Sequence, residues 1–190
     1  MKIEKIGSRI AGLMKQRGIT LEDLVERTGL QREFLEQIGR EKEYFPSLGP
    51  LLKISRVLGV RLGTLLDDQV SEDPLIVRKG DQKREIDMLP DKDKPVALRF
   101  FSLGQGKTDR HMEPFFIEIL PESAHDKKLS THEGEEFIVV TQGEVEVIYR
   151  TETHLLKAGD SIYYNSVVPH YVSCASETPA CIYAVLYIPE

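Results

Sequence analysis

The apolar residues of this 190-residue chain change their spacing once, and that change sets the fold class of each half. From Ile3 to Asp67 they recur every three or four positions, the period of a helix with one buried face. From Val96 onward they alternate, the period of a half-buried strand. Between them lies the acidic stretch DDQVSEDP (67–74), whose proline stops any helix. The chain therefore divides into a helical unit over 1–67, a connection with first strands over 68–95, and an all-β unit over 96–190.

The helical unit reads as five short helices. Ile3, Ile6, Ile10, Leu13 and Met14 mark the first buried face, ended by Gly18. Thr20 suits the N-cap of a second helix, with Asp23 three positions on and Gly29 at its end. A third runs from Gln31 to Ile38, a fourth carries Leu51 to Leu58, and a fifth begins near Leu62. The second and third are separated by only Thr28, Gly29 and Leu30. Two helices joined by a short glycine-containing turn form a helix-turn-helix.

The β unit holds seven candidate strands: 97–103, 113–120, 136–141, 144–150, 161–164, 171–174 and 181–188, with Leu75–Lys79 as an earlier one. This many short strands predict a sandwich or barrel. A two-residue turn at Gln142–Gly143 would pair Val140 with Val145 and Ile138 with Val147. A loop over Ser176–Pro179 would pair Cys174 with Cys181 and His170 with Val185. The two cysteines are expected as thiols, with a redox pair or a soft metal ligand as alternatives.

His132, Glu136 and His170 fall at the edges of apolar strands. On one straight strand His132 and Glu136 would lie about 13 Å apart. A turn at Gly134 would instead make them neighbours. Two imidazoles and one carboxylate converging this way suit Fe(II), Mn(II), Ni(II) or Zn(II). Without a metal the same histidines would be hydrogen-bonded inside a pocket. His111, His125 and His154 are expected in or near solvated loops, and Tyr163, Tyr164, Tyr183 and Tyr187 in the core or at its rim.

Charge separates the halves further. The net −6 of the whole chain argues against nucleic acid. Residues 1–70 carry 12 Lys and Arg against 10 Asp and Glu, a net of +2, whereas 71–190 carry 13 against 21, a net of −8. The acidic surplus thus belongs to the β unit. Around the third helix, Gln31 to Glu43 is nonetheless net −1, with Arg32, Arg40 and Lys42 against Glu33, Glu36, Glu41 and Glu43. No apolar run is long enough for a membrane span. The first ten residues are unlike a signal peptide, which predicts a cytoplasmic protein.

Two stretches, TLEDLVERTGLQREFLEQI (20–38) and PSLGPLLKISRVLGVRLGTLL (46–66), resemble the phage-repressor-like (XRE) helix-turn-helix family. The resemblance implies that the third helix enters the DNA major groove. It places Arg32, Glu33 and Gln37 at base edges and Arg40, Lys42 and Arg9 at phosphates. HEGEEFIVVTQGEVEV (132–147) and GDSIYYNSVVPH (159–170) resemble the two cupin motifs, and imply a double-stranded β-helix with His132, Glu136 and His170 as metal ligands. Ser130 stands where a second histidine of a full cupin site would be. The combined order resembles bacterial regulators in which a cupin senses a small-molecule effector and a homodimer binds operator DNA. It also resembles a non-haem iron epoxidase of hydroxypropylphosphonate, whose His-x-x-x-Glu…His pattern these residues match. That enzymatic reading is the alternative.

Overall fold

The computed structural model describes residues 6–38, 47–66, 74–82, 84–89, 93–107 and 110–189. The helical unit consists of α1 (Ile6–Arg17), α2 (Leu21–Thr28), α3 (Arg32–Gln37), α4 (Leu48–Val57) and α5 (Leu62–Leu66). The capping chemistry sets α2. Thr20 Oγ1 accepts the Asp23 N–H at 3.1 Å, and the Asp23 carboxylate accepts the Thr20 N–H at 2.8 Å. Gly29 closes the helix in a left-handed conformation (φ +66°) and donates to the Val25 carbonyl. Leu24, Leu35, Leu51, Ile54, Leu58, Leu62 and Leu65 form the core that the three-and-four spacing marked.

Among the described residues the β unit has nine strands: β1 (Arg84–Met88), β2 (Leu98–Ser102), β3 (Met112–Ile119), β4 (Glu135–Gln142), β5 (Glu144–Tyr149), β6 (Glu152–Lys157), β7 (Ser161–Asn165), β8 (His170–Cys174) and β9 (Ala180–Tyr187). They form a six-stranded sheet in the order β1-β2-β3-β9-β4-β7 and a three-stranded sheet in the order β6-β5-β8, all antiparallel. The inward residues of the two sheets, among them Phe115, Ile117, Ile119, Ile138, Val140, Val145, Val147, Ile182 and Ala184, make one apolar interior.

Four details differ from the sequence expectations. Both edges of β4 are taken, by β7 and β9, so β4 and β5 form no hairpin and the chain crosses at Gln142–Gly143 to the other sheet. Likewise β8 pairs with β5 and β9 with β3 and β4, so neither Cys174 and Cys181 nor His170 and Val185 are cross-strand partners. Both cysteines are free thiols. Leu75–Lys79 forms no strand: Ile76 is 63% exposed, and Lys79–Asp81 is a 3-10 turn. Residues 152–157, with His154, form an unforeseen strand at a sheet edge, where little burial produces no alternation.

The two units are joined by a buried ion pair. Arg110 Nε donates to Glu113 Oε2 at 2.7 Å, with both side chains almost fully buried. Glu113 Oε1 accepts the N–H of Gly63 on α5 at 2.9 Å, and Arg61 Nη1 donates to the Arg110 carbonyl at 3.1 Å. One carboxylate from β3 thus ties the last helix to the barrel. Truncating one partner of a buried pair leaves the other charge uncompensated. Glu113→Ala should therefore cost about 3–5 kcal/mol in urea unfolding. Arg110→Met/Glu113→Leu should recover the part due to the uncompensated Arg110 charge but not the lost acceptor of the Gly63 N–H, whereas a loss confined to tenths of a kcal/mol in the single variant would show that the pair ties nothing.

Candidate functional site

Glu136, Ile138 and Val140 share the inward face of β4, and Glu136 is the first of that stripe. His170 opens β8 on the opposite sheet. His132 lies in the segment that crosses between the sheets. Ser130 exchanges both backbone hydrogen bonds with His170, at 2.9 and 3.0 Å. Two residues later His132 N–H donates to Ser166, and Ser166 N–H donates to Gly134. The crossing turns at Gly134 (φ +100°), where a Cβ would overlap the Tyr187 carbonyl. The expected turn is therefore present, and it brings His132, Glu136 and His170 together with all three ligand atoms within 4.8 Å of one another.

His132 Nε2 lies 2.7 Å and His170 Nε2 3.4 Å from the same oxygen, Glu136 Oε1. The other oxygen, Oε2, accepts from Tyr164 OH at 2.8 Å, and Ser166 Oγ donates to Oε1 at 3.3 Å. Each imidazole turns Nδ1 to a main-chain carbonyl, Glu133 for His132 (3.1 Å) and Val168 for His170 (2.8 Å). A carbonyl only accepts, so each Nδ1 carries a proton, and a bound metal would take the Nε2 of each ring in place of the hydrogen bond to Glu136. Burial alone pushes the Glu136 carboxyl up, but the hydrogen bonds and charges of His132 and His170 more than offset this and hold it well below the usual carboxylate range. Burial, then the Glu136 charge and hydrogen bond, push the Tyr164 phenol well above its ordinary value, keeping it a donor. Two imidazole donors and one carboxylate, oriented by outer hydrogen bonds, fit a divalent transition ion.

The trio lines one end of a cavity of about 100 Å³ whose other walls are mostly apolar. Ser47 and Leu48, at the start of α4, form part of that wall. Gly49 packs on the crossing segment, where a Cβ would stand 3.3 Å from the Thr131 carbonyl. Arg56 of α4 forms an ion pair with Glu133. Sequence reasoning missed these contacts, as it did the role of Ser166. Arg99 and Arg110 lie away from the cavity lining: Arg99 pairs with Glu118, and Arg110 belongs to the buried joint. Glu113 was detectable as a charge in the inward register of Phe115, Ile117 and Ile119.

On the helical unit, Arg32 and Glu33 are exposed at the start of α3 and Gln37 is half-buried at its end. The Arg32 guanidinium is held by Glu22 of α2 at 2.8 Å and faces Glu36 at 3.7 Å. Arg40 and Lys42 lie outside the described residues. Arg9 Nη1 donates to the Leu65 carbonyl at 2.8 Å, joining α1 to α5. His111 and His125 are exposed, as expected.

A family model of the Cro/C1-type helix-turn-helix DNA-binding domain matches residues 9–71, and one of the cupin domain matches 116–186. The HTH-type transcriptional regulator PuuR of Escherichia coli (strain K12) is 23% identical over 171 residues, which are 90% of this chain and 88% of that protein. The chain belongs to the Cro/C1-type helix-turn-helix regulators that carry a cupin domain. An HTH_3 family transcriptional regulator from Vibrio cholerae superposes with a TM-score of 0.68 at 25% identity, covering 97% of this chain and 96% of that one. Hydroxypropylphosphonic acid epoxidase from S. wedmorenis superposes with a TM-score of 0.50 at 22% identity over 96% of each chain, a likeness of fold alone. No helix among the described residues is long and apolar enough to cross a membrane.

The left-handed turn at Gly134 places one donor of this cupin site against the next. Gly134→Ala meets both an unfavourable φ and the Tyr187 backbone, and should lower stability by about 1–3 kcal/mol. Thermal unfolding checks this. Wild-type stability in the variant would mean that the turn relaxes freely.

Proposed function

We infer that this protein is a transcription regulator whose helix-turn-helix binds operator DNA and whose barrel binds a small effector beside a divalent ion held by His132, Glu136 and His170. The observation that carries the reading is the shared cavity: the pocket containing the trio is walled partly by α4 of the DNA-binding unit. An occupant therefore touches both units at once. Glu133 adds a second connection. Its carbonyl orients the His132 ring while its side chain pairs with Arg56 on α4. When bound, the ion supplies positive charge and open coordination positions for an oxygen ligand.

The reading surface of α3 would present Arg32 to guanine, Gln37 to adenine and Glu33 to cytosine, with Arg40 and Lys42 at phosphates. Arg32 must first leave Glu22. That pair is solvent-exposed, so water and salt weaken it. The outer face of the six-stranded sheet offers a dimer contact. Tyr163, Tyr183 and Tyr187 are about half exposed there, and Phe137 packs on Tyr163 and Phe116 on Tyr183. Two copies joined through this aromatic face would make a self-complementary interface. Such a dimer presents two recognition helices to half-sites about 34 Å apart.

Unbiased selection from random duplex DNA with the full chain tests this reading. It should enrich a palindrome with half-sites one helical turn apart, bound more weakly as salt rises. Arg32→Ala should abolish the enrichment of its contacted base and weaken binding at least tenfold. Glu22→Gln, which frees Arg32, should tighten binding at low salt. Failure of the wild-type chain to enrich any sequence would contradict DNA recognition.

A further inference from the structure

The cavity lining sets the polar trio among mostly apolar side chains. Glu136 is the only acidic side chain among its described lining residues. Both of its oxygens already receive protein hydrogen bonds. A divalent ion on one carboxylate and two neutral imidazoles leaves a net charge of +1 at the trio. Lys128 also lines the cavity, with its ammonium paired to Asp126 at 3.4 Å. Beyond the trio the walls are mostly hydrocarbon, with Phe100 and Ile117 from the large sheet, Val172 from the small one and Leu48 from α4. A void of about 100 Å³, at ~10–15 Å³ for each water-sized occupant, has room for about eight heavy atoms.

We propose that the cavity takes a small monocarboxylate with a short hydrocarbon tail, its carboxylate at the His132–Glu136–His170 end and its tail against Leu48. An anion complements the residual positive charge, and the tail displaces water from mostly apolar walls. A cationic amine would meet the ion with like charge. The assignment rests on the metal reading above and names the chemical class of the effector. It also explains how occupancy reaches the DNA-binding unit, because the tail touches Leu48 directly.

Calorimetric titration of the full chain loaded with Zn(II) tests the assignment, using acetate, butanoate, hexanoate and dodecanoate, with butylamine and 1-pentanol as controls. Affinity should rise about fourfold per methylene from acetate to hexanoate. Dodecanoate should gain less per methylene once its chain outruns the apolar walls, and both controls should bind at least tenfold more weakly than butanoate. Leu48→Trp, which fills the tail end, should reduce hexanoate binding at least tenfold and leave acetate unchanged. Equal binding of butylamine or pentanol, or no dependence on chain length, would overturn the ligand class. Zinc content of the same samples separates the two readings. Zinc retained at one ion per chain and lost in His170→Ala, together with chain-length-independent carboxylate binding, sinks the ligand class alone. Zinc absent from the wild-type chain after dialysis sinks the metal reading and the ligand assignment with it.

Discussion

A carboxylate inside an apolar barrel is stable only with compensating partners, and Glu136 has four. They come from different places in the chain: the crossing segment supplies His132, β7 supplies Tyr164 with Ser166 following it, and β8 supplies His170. Satisfying one buried charge therefore fixes the relative positions of the two sheets at the barrel mouth. The same arrangement aims two Nε2 atoms and one carboxylate oxygen at a single point. Structural compensation and the capacity to hold a divalent ion are one geometry, in which an ion would replace the Nε2 protons and the hydrogen bonds they make within the trio.

The helical unit is built against this mouth. Leu48 closes part of the cavity wall, Gly49 lies on the crossing segment, and Arg56 pairs with the residue whose carbonyl holds His132. Further along, Glu113 anchors the N–H of Gly63 on α5. α4 thus touches the site while α5 is tied to β3. The Arg32–Glu22 pair of the same unit is solvent-exposed, where an ion pair is weak.

Periodicity made both fold classes legible, because three-and-four spacing and alternation each report a buried face directly. The Thr20 cap, the Gly29 stop and the Gly134 turn were readable because each needs a particular residue chemistry. The trio followed from that turn. Strand pairing was not legible. Alternation tells which residues face inward, and Ile138, Val140, Val145 and Val147 do, but it names no partner. Gln142–Gly143 resembles a hairpin turn, yet both edges of β4 are filled by strands distant in sequence. β6 left no alternation because little of it is buried. The wall contributed by Ser47 and Leu48 depends on how the units dock, and no local pattern records that.

The central claim is that the trio and α4 form one responsive unit, and amide hydrogen exchange of the full chain with and without one equivalent of Zn(II) tests it most directly. The account predicts slower exchange in two places: the crossing segment with the start of β4 (131–138), and α4 (Leu48–Val57) on the other unit. Protection that stops at the barrel, or an exchange pattern that zinc leaves unchanged, would contradict it.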